Sequence, residues 1–591
     1  MNLTKNIKLK LALLSFSFIF SSVVFSQKIT WGQKFSEKKN YTPVILGELG
    51  NSFYTMALVK SKLVIEKFDK SSKKREYQKE VEIPKKQVYE GMVLTDNSFV
   101  VFLSYYDKKN DLSVIYANSY SLSDGSIVKK DIDILSVPVE KKRRRGTFSV
   151  FKSKDNKKIL LDHEAYYKKQ EKYRERFILF GSDLKKLTEK EEATDKSETK
   201  SYRVVGMTID LDGSIYFIKS YDDKTVFTTY DAKKDFEKWE EKLDLTELGL
   251  PISSAIFNTT FTINKQGDFV LVGYYSKGDD KGTTSKKGAT AGSTANFSYR
   301  RHLSLDGCFY LKIDRKSKEI VEKKVNEFDK SFKDQFLSEK QAAKGKEGEA
   351  PAAFGKMNLY TKDDGGIIGV GEIYMYFYSQ SGNSAGETHL FLDLVCINLS
   401  DKGQLLSANR IPKNQKFAWQ SFGGYVYHNS TGRWSLLFTS TKALDYMSYF
   451  AQLTSDKFYI VYNDNPKNML LKSDQDRLKM FKKPKKSVLT LYTIDLKTGK
   501  KERSTFLDGK DFEITPEPST AYQKDQNSDL ILLGSRGKAF KYGSMAAYKS
   551  PVSPVKTTPV SSSPVKTTNT TAPVKTTNTT TPAKTPVKAT K

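Results

Sequence analysis

The chain is poor in the residues that most often do chemistry. It has two cysteines and four histidines in 591 residues. The histidines, at positions 163, 302, 389 and 428, form no i, i+4 pair and no cluster with cysteine, so the spacing of a zinc site is missing. The Gly-x-Ser-x-Gly of a nucleophile elbow is absent, as is the Gly-x-x-x-x-Gly-Lys-Ser/Thr of a phosphate loop. Gly366, Gly369 and Gly371 do not stand in the dinucleotide-binding order. They read as a strand whose small residues admit another backbone. Asp210, Asp212 and Gly213, and likewise Asn463, Asp464 and Asn465, resemble pieces of calcium loops, but neither run continues to a distant Glu. Both fit the side-chain-to-backbone bonding of tight turns. Two carboxylates could hydrolyse a glycoside, yet nothing selects a pair among 69 acids. No catalytic, metal-binding or cofactor-binding residue is therefore assigned, and no cofactor is implied.

Acid is also scarce relative to base: 98 Lys and Arg face 69 Asp and Glu, a net charge of +29. Long apolar runs are missing after the first 26 residues. Those residues carry Lys5, Lys8 and Lys10, then an apolar run over 11–25, then Val24 and Ser26 before Gln27. The pattern is that of a secretory signal peptide, and the run is short for a membrane span. Its removal leaves +26 and no transmembrane segment. The expected location is periplasmic or extracellular. The excess base suits either a soluble basic surface or contact with anionic envelope material, with no specific nucleic-acid motif.

What the chain does have is repetition. Residues 63–83, 115–134, 176–192, 226–245, 308–328, 391–411 and 489–508 each read as strand, polar turn and charged second strand. Upstream of most lies a second hairpin with a more apolar inner strand, as in 92–106, 204–221, 261–275 and 452–464. Two hairpins make a four-stranded unit. Turn residues Asp69, Asp124, Asp183 and Asp231 space the early units 55, 59 and 48 residues apart, against about 40–50 in the commoner propeller blades. The wider spacing of Asp314, Asp401 and Asp495 calls for insertions. Residues 276–304, 338–356 and 466–486 supply them, the last Lys-rich and admitting a helix. An all-β propeller over 27–549 follows, because radial packing covers the apolar face of every unit. It has eight blades if 28–35 and 519–543 share the last one, and seven if the ends pack on existing blades. Two all-β sandwich domains, split near residue 250 or 350, are the competing architecture.

Cys308 and Cys396 fall on third strands of different units, out of register by four residues. That is ~13 Å along a strand, too far for a disulfide, so two separate buried thiols are expected. From residue 550 the chain changes character. PVKTT occurs three times, with six Lys and no acid among residues 551–591. A disordered, partly extended tail is expected, able to touch an anionic surface.

The densest basic run is 140–148, EKKRRRGTF. Arg143, Arg144 and Arg145 are the candidate anion-binding loop, set against a plain exposed connection between blades. The early TWG at 30–32, ILGELGNSFYTM, EKFDK, RIPKNQ and FYIVYNDNPKN resemble stretches of the uncharacterised secreted propeller-like proteins of flavobacteria and related Gram-negative bacteria. The resemblance implies export and a β-repeat fold over roughly residues 28–543, and it brings no catalytic residues. The expected function is a non-enzymatic binding or scaffolding module, its partner an envelope protein or a glycan. A carbohydrate-active hydrolase or lyase on the same scaffold is the alternative.

Overall fold

A computed structural model describes residues 29–37, 41–59, 62–195, 203–220, 225–243, 255–277, 304–344, 348, 351, 354–381, 384–422, 442–507, 513–525 and 528–546. The expected signal peptide, the tail, most of the 276–304 insertion, His302 and His428 lie outside them. The rest is built from eight antiparallel sheets. Blades 1 to 7 occupy residues 44–82, 88–138, 147–195, 203–243, 255–327, 354–422 and 450–507. In each, four strands succeed one another in chain order across the sheet. The first strands of blades 1 to 6 touch one after another, so they form the inner wall of a ring.

Blade 8 is shared by the two ends of the chain. Thr515–Pro516, Leu530–Arg536 and Ala539–Met545 provide three strands, and Ile29–Trp31 is the fourth. Ile29 pairs with Met545 and Trp31 with Gly543, while Phe35–Ser36 continues along the same strand. The expectation of eight blades, with the ends completing one, is met.

Closure is visible in the cores. Eight separate apolar clusters each join two successive blades, including 7 with 8 and 8 with 1. Phe102, Ile115 and Val93 of blade 2 meet Ile159, Leu161 and Ile178 of blade 3. Tyr542, Phe540 and Leu533 of blade 8 meet Phe53, Phe68 and Val64 of blade 1. Burying each such side chain contributes about 1.5–3 kcal/mol. A lone four-stranded sheet would leave both faces wet, which is why the units repeat.

Inner strands carry a shared irregularity. Their register slips at Ile45/Gly47, Tyr89/Gly91 and Val204/Gly206, as β-bulges do. At Gly91 a Cβ would stand 3.1 Å from the Cβ of Val150 in blade 3, so glycine lets neighbouring inner strands close up.

Strand alternation puts the turns between strands one and two, and three and four, on one face of the ring. There, Asp69 accepts from Ser72 N at 2.7 Å, Asp314 from Ser317 N at 2.6 Å and Asp495 from Thr498 N at 2.8 Å. In blade 6 the Ser400 hydroxyl takes this role, accepting from Lys402 N at 3.2 Å. The hydroxyls of Ser71 and Ser72 and the Ser72 N–H hold the Asp69 carboxyl down to about 2. A carboxyl depressed from 3.8 adds stability that is full above pH ~4 and lost as pH falls toward ~2. Asp69→Ala should flatten that segment of a melting-temperature profile against pH, checked by circular dichroism at fixed ionic strength.

Among the described residues, the connections between blades 1 to 7 and those between second and third strands lie on the opposite face. They include Lys330–Asp334, a short helix, and the 465–487 insertion, which holds two 3₁₀ turns, Pro466–Leu470 and Pro484–Lys486, rather than one helix. In blade 6, strands Ile367–Ser381 and Ser384–Leu399 run on past the sheet, and Gln415–Phe422 pairs with the second. Among the described residues no helix is long and apolar enough to cross a membrane. Cys308 and Cys396 are buried and unbonded, and burial pushes each thiol up to about 12.

Candidate functional site

The connection from blade 2 to blade 3, residues 139–146, lies on this long-loop face at the start of an inner strand. Lys142–Arg144 form a 3₁₀ turn, closed by Arg144 N donating to Lys141 O at 2.8 Å. Two features pin its end. Gly146 has φ +78°, and a Cβ there would lie 2.4 Å from Glu164 O and 2.6 Å from the Nε2 of His163. His163, tilted against Phe148 with ring centres 4.5 Å apart, places that Nε2 3.1 Å from Arg145 O. This histidine supports the turn.

The turn and the preceding connection, 83–87, enclose a cleft of about 600 Å³ lined by Lys86, Gln87, Val88, Lys142, Arg143 and Arg145. Lys86, Lys142 and Arg143 are exposed; Arg145 is half-buried. Two of the three sequence-predicted arginines thus meet in the cleft. Arg144 does not: it folds back onto Glu140, one turn earlier. Glu140 in turn accepts from Lys169 N at 2.7 Å, and that bond, followed by Arg144, holds its carboxyl below the usual range. Arg144 is a positioning group of the turn, while Arg143 and Arg145 line the cleft.

Deeper along the inner strand of blade 2, burial lifts the Glu90 carboxyl above its ordinary range, against a hydroxyl bond from Ser104 and the charge of Arg145. The lining groups themselves are four cations, one amide and one aliphatic side chain. Such a cleft attracts negative charge, and exposed guanidinium forks suit carboxylate, sulfate or phosphate.

Lys86 and Gln87 were not singled out in the sequence, although a signal existed. Four described connections on this face of blades 2 and 3 each carry a Lys-Lys pair: 85–86, 108–109, 141–142 and 168–169. Gly146→Ala forces a side chain into a left-handed backbone against a carbonyl, an expected loss of about 1–3 kcal/mol together with weakened anion binding, read by urea unfolding and by titration.

The remaining candidates resolve into structure. Asp212 accepts from Ser214 N at 2.9 Å, and both it and Asp210 pair with Arg315 of the next blade. Asp464 is buried and accepts from Asn468 at 2.7 Å and Arg503 at 2.9 Å, while Asn465 caps a 3₁₀ turn. The His389 Nδ1 lies 2.8 Å from the Tyr374 hydroxyl in the blade 6 extension.

No protein-family model and no curated protein matches the chain. Solved structures similar to it include the Dos1 propeller, at 9% identity and TM-score 0.32 over 88% of this chain and 96% of that one. The polysaccharide lyase Uly1 matches at 10% and 0.33, over 80% and 98% respectively. Prolyl oligopeptidase B from Galerina marginata matches at 12% and 0.32, over 85% of this chain and 56% of that one. Likenesses of this size assign no function, and the fold stands on the eight sheets themselves.

Proposed function

We propose that this protein is an exported, non-enzymatic propeller that captures an anionic partner on its long-loop face, over blades 2 and 3. The convergence of Lys86, Lys142, Arg143 and Arg145 on one open cleft supports this reading. Membership of the secreted flavobacterial group suggested by the sequence would place it in the periplasm or outside the cell, where acidic envelope material is the available partner. The rival reading, a carbohydrate-active hydrolase or lyase, has its best foothold in Glu90 beside Arg145. A hydrolase needs a second carboxylate across the substrate, and none of the cleft's lining residues is acidic.

The test uses the full chain and dextran sulfate as a generic polyanion. Binding should weaken steeply with salt, and Arg143→Glu with Arg145→Glu should reduce it roughly tenfold or more. Salt-independent binding, or an unchanged double variant with an unaltered melt, contradicts the proposal.

A further inference from the structure

The basic cleft is not isolated. The 139–146 connection is held between two hairpins that each carry exposed lysines. On one side Val139 N donates to Asp111 O at 2.9 Å, at the base of the Lys108–Lys109 hairpin of blade 2. On the other, Tyr167 OH donates to Pro138 O at 2.7 Å and Lys169 N to Glu140 at 2.7 Å, tying in the Lys168–Lys169 hairpin of blade 3. Lys108, Lys109, Lys168 and Lys169 are all exposed. The hairpins stand between second and third strands, ~7 Å outward of the inner strands at the usual strand spacing. A polymer with a charge on every repeating unit can cross the whole ridge.

The aromatic rings nearby point to the kind of polymer. Single-stranded nucleic acid is held by bases stacking on open aromatic faces. On blade 3 those faces are engaged: Tyr166 lies against Tyr173 at 4.8 Å, and Arg174 covers Tyr167 at 4.9 Å. On blade 2, Tyr106 bonds Asp111, and Tyr105, 36% exposed, meets Tyr116 edge-on. The ridge therefore offers charge and hydrogen-bond donors, with Tyr105 as a partly open ring. Planar carboxylates match the guanidinium forks of Arg143 and Arg145.

Resting on the anion-binding reading above, we infer that the cleft and its two flanking hairpins together bind a linear acidic polysaccharide of the polyuronate class. Several weak contacts on one chain add through effective concentration, so length is the diagnostic variable.

The experiment titrates the full chain with monomeric galacturonate, its trimer and long polygalacturonate, alongside oligothymidylate, anionic phospholipid vesicles and dextran sulfate. The polymer should bind roughly tenfold or more tighter per site than the trimer. Lys108→Glu, Lys109→Glu, Lys168→Glu and Lys169→Glu in combination should erase that gain while leaving monomer binding and the melting temperature unchanged. Should the fourfold variant unfold, the two hairpin pairs tested separately should each remove part of the gain. Equal per-site affinity for trimer and polymer overturns the inference and leaves the cleft as a small-anion site. Tighter binding of oligothymidylate or vesicles overturns it in favour of those partners. Failure to bind any of the anions, dextran sulfate included, overturns the anion-binding reading itself.

Discussion

Arg75→Leu should destabilise the protein by about 3–5 kcal/mol, the cost of stripping one partner from a buried ion pair. Glu66, in blade 1, is fully buried. It accepts from Arg75 Nη1 at 2.8 Å and Thr55 Oγ1 at 2.9 Å, and from the Tyr41 hydroxyl. Arg75 also binds Glu37, just beyond the N-terminal strand of blade 8. The cluster therefore fastens blade 8 to blade 1 where the ring shuts. Burial already raises the Glu66 carboxyl above 4.5, with Tyr41 and Arg75 pulling against it. Without the guanidinium it must rise further. A carboxyl raised in the folded state contributes stability that is complete below its unfolded value and lost as pH climbs through the folded one. The Arg75→Leu deficit should thus be small near pH 4 and grow toward pH 8. Urea unfolding across that range measures it. Arg176→Leu, which breaks the half-exposed pair with Glu191 on outer strands, should cost no more than about 1 kcal/mol. Equal effects of the two changes would mean that the joint carries no special weight.

Phe102→Ala should cost about 3–5 kcal/mol, through lost transfer energy and the cavity left behind. Phe102 is fully buried on the second strand of blade 2, in the cluster that blade 3 completes with Ile159, Leu161 and Ile178. Val128, on the outer strand of the same blade, is 58% exposed. Val128→Ala should change stability by less than about 0.5 kcal/mol. Both are measured by denaturant unfolding. The contrast separates a side chain packed against the next blade from an exposed one on the same sheet.

Much of this architecture was legible in the residues. The outer two strands of blades 1 to 7 are marked by Asp-bearing turns, led by Ser400 in blade 6, and by a charged edge strand, for physical reasons. An Asp carboxylate bonds the backbone two or three residues on, and an edge strand must repel other edges. Inner strands were harder. They are bulged at Gly47 and Gly91, which breaks the alternation that marks a strand. Blade 8 has an inner strand of only two residues, Thr515–Pro516. The blade 6 extension lies outside the repeat pattern, though the Tyr-rich run at 374–378 followed by Ser-Gly-Asn-Ser in the sequence is a hairpin signal.

The site was half legible. A triplet of arginines drew attention to residues 143–145, but no periodicity separates Arg144 from its neighbours. Only the turn, with Glu140 four residues back, sends it the other way. Lys86 joins the cleft across a whole blade of intervening chain, because the first strands of blades 2 and 3 lie side by side.

The central claim is that the chain shuts on itself, its first strand completing the blade formed by its last three. A disulfide between Thr30→Cys and Ser544→Cys tests it most directly. These positions face one another across the seam, and antiparallel partners stand about 4.5–5.5 Å apart at Cα, within disulfide reach. The native cysteines are buried and free and should not compete. Mild oxidation of the folded double variant should yield an intramolecular cross-link, seen as a mobility shift on a non-reducing gel and a raised melting temperature. Persistence of two free engineered thiols, or dimers in place of the closed monomer, would contradict the closed ring.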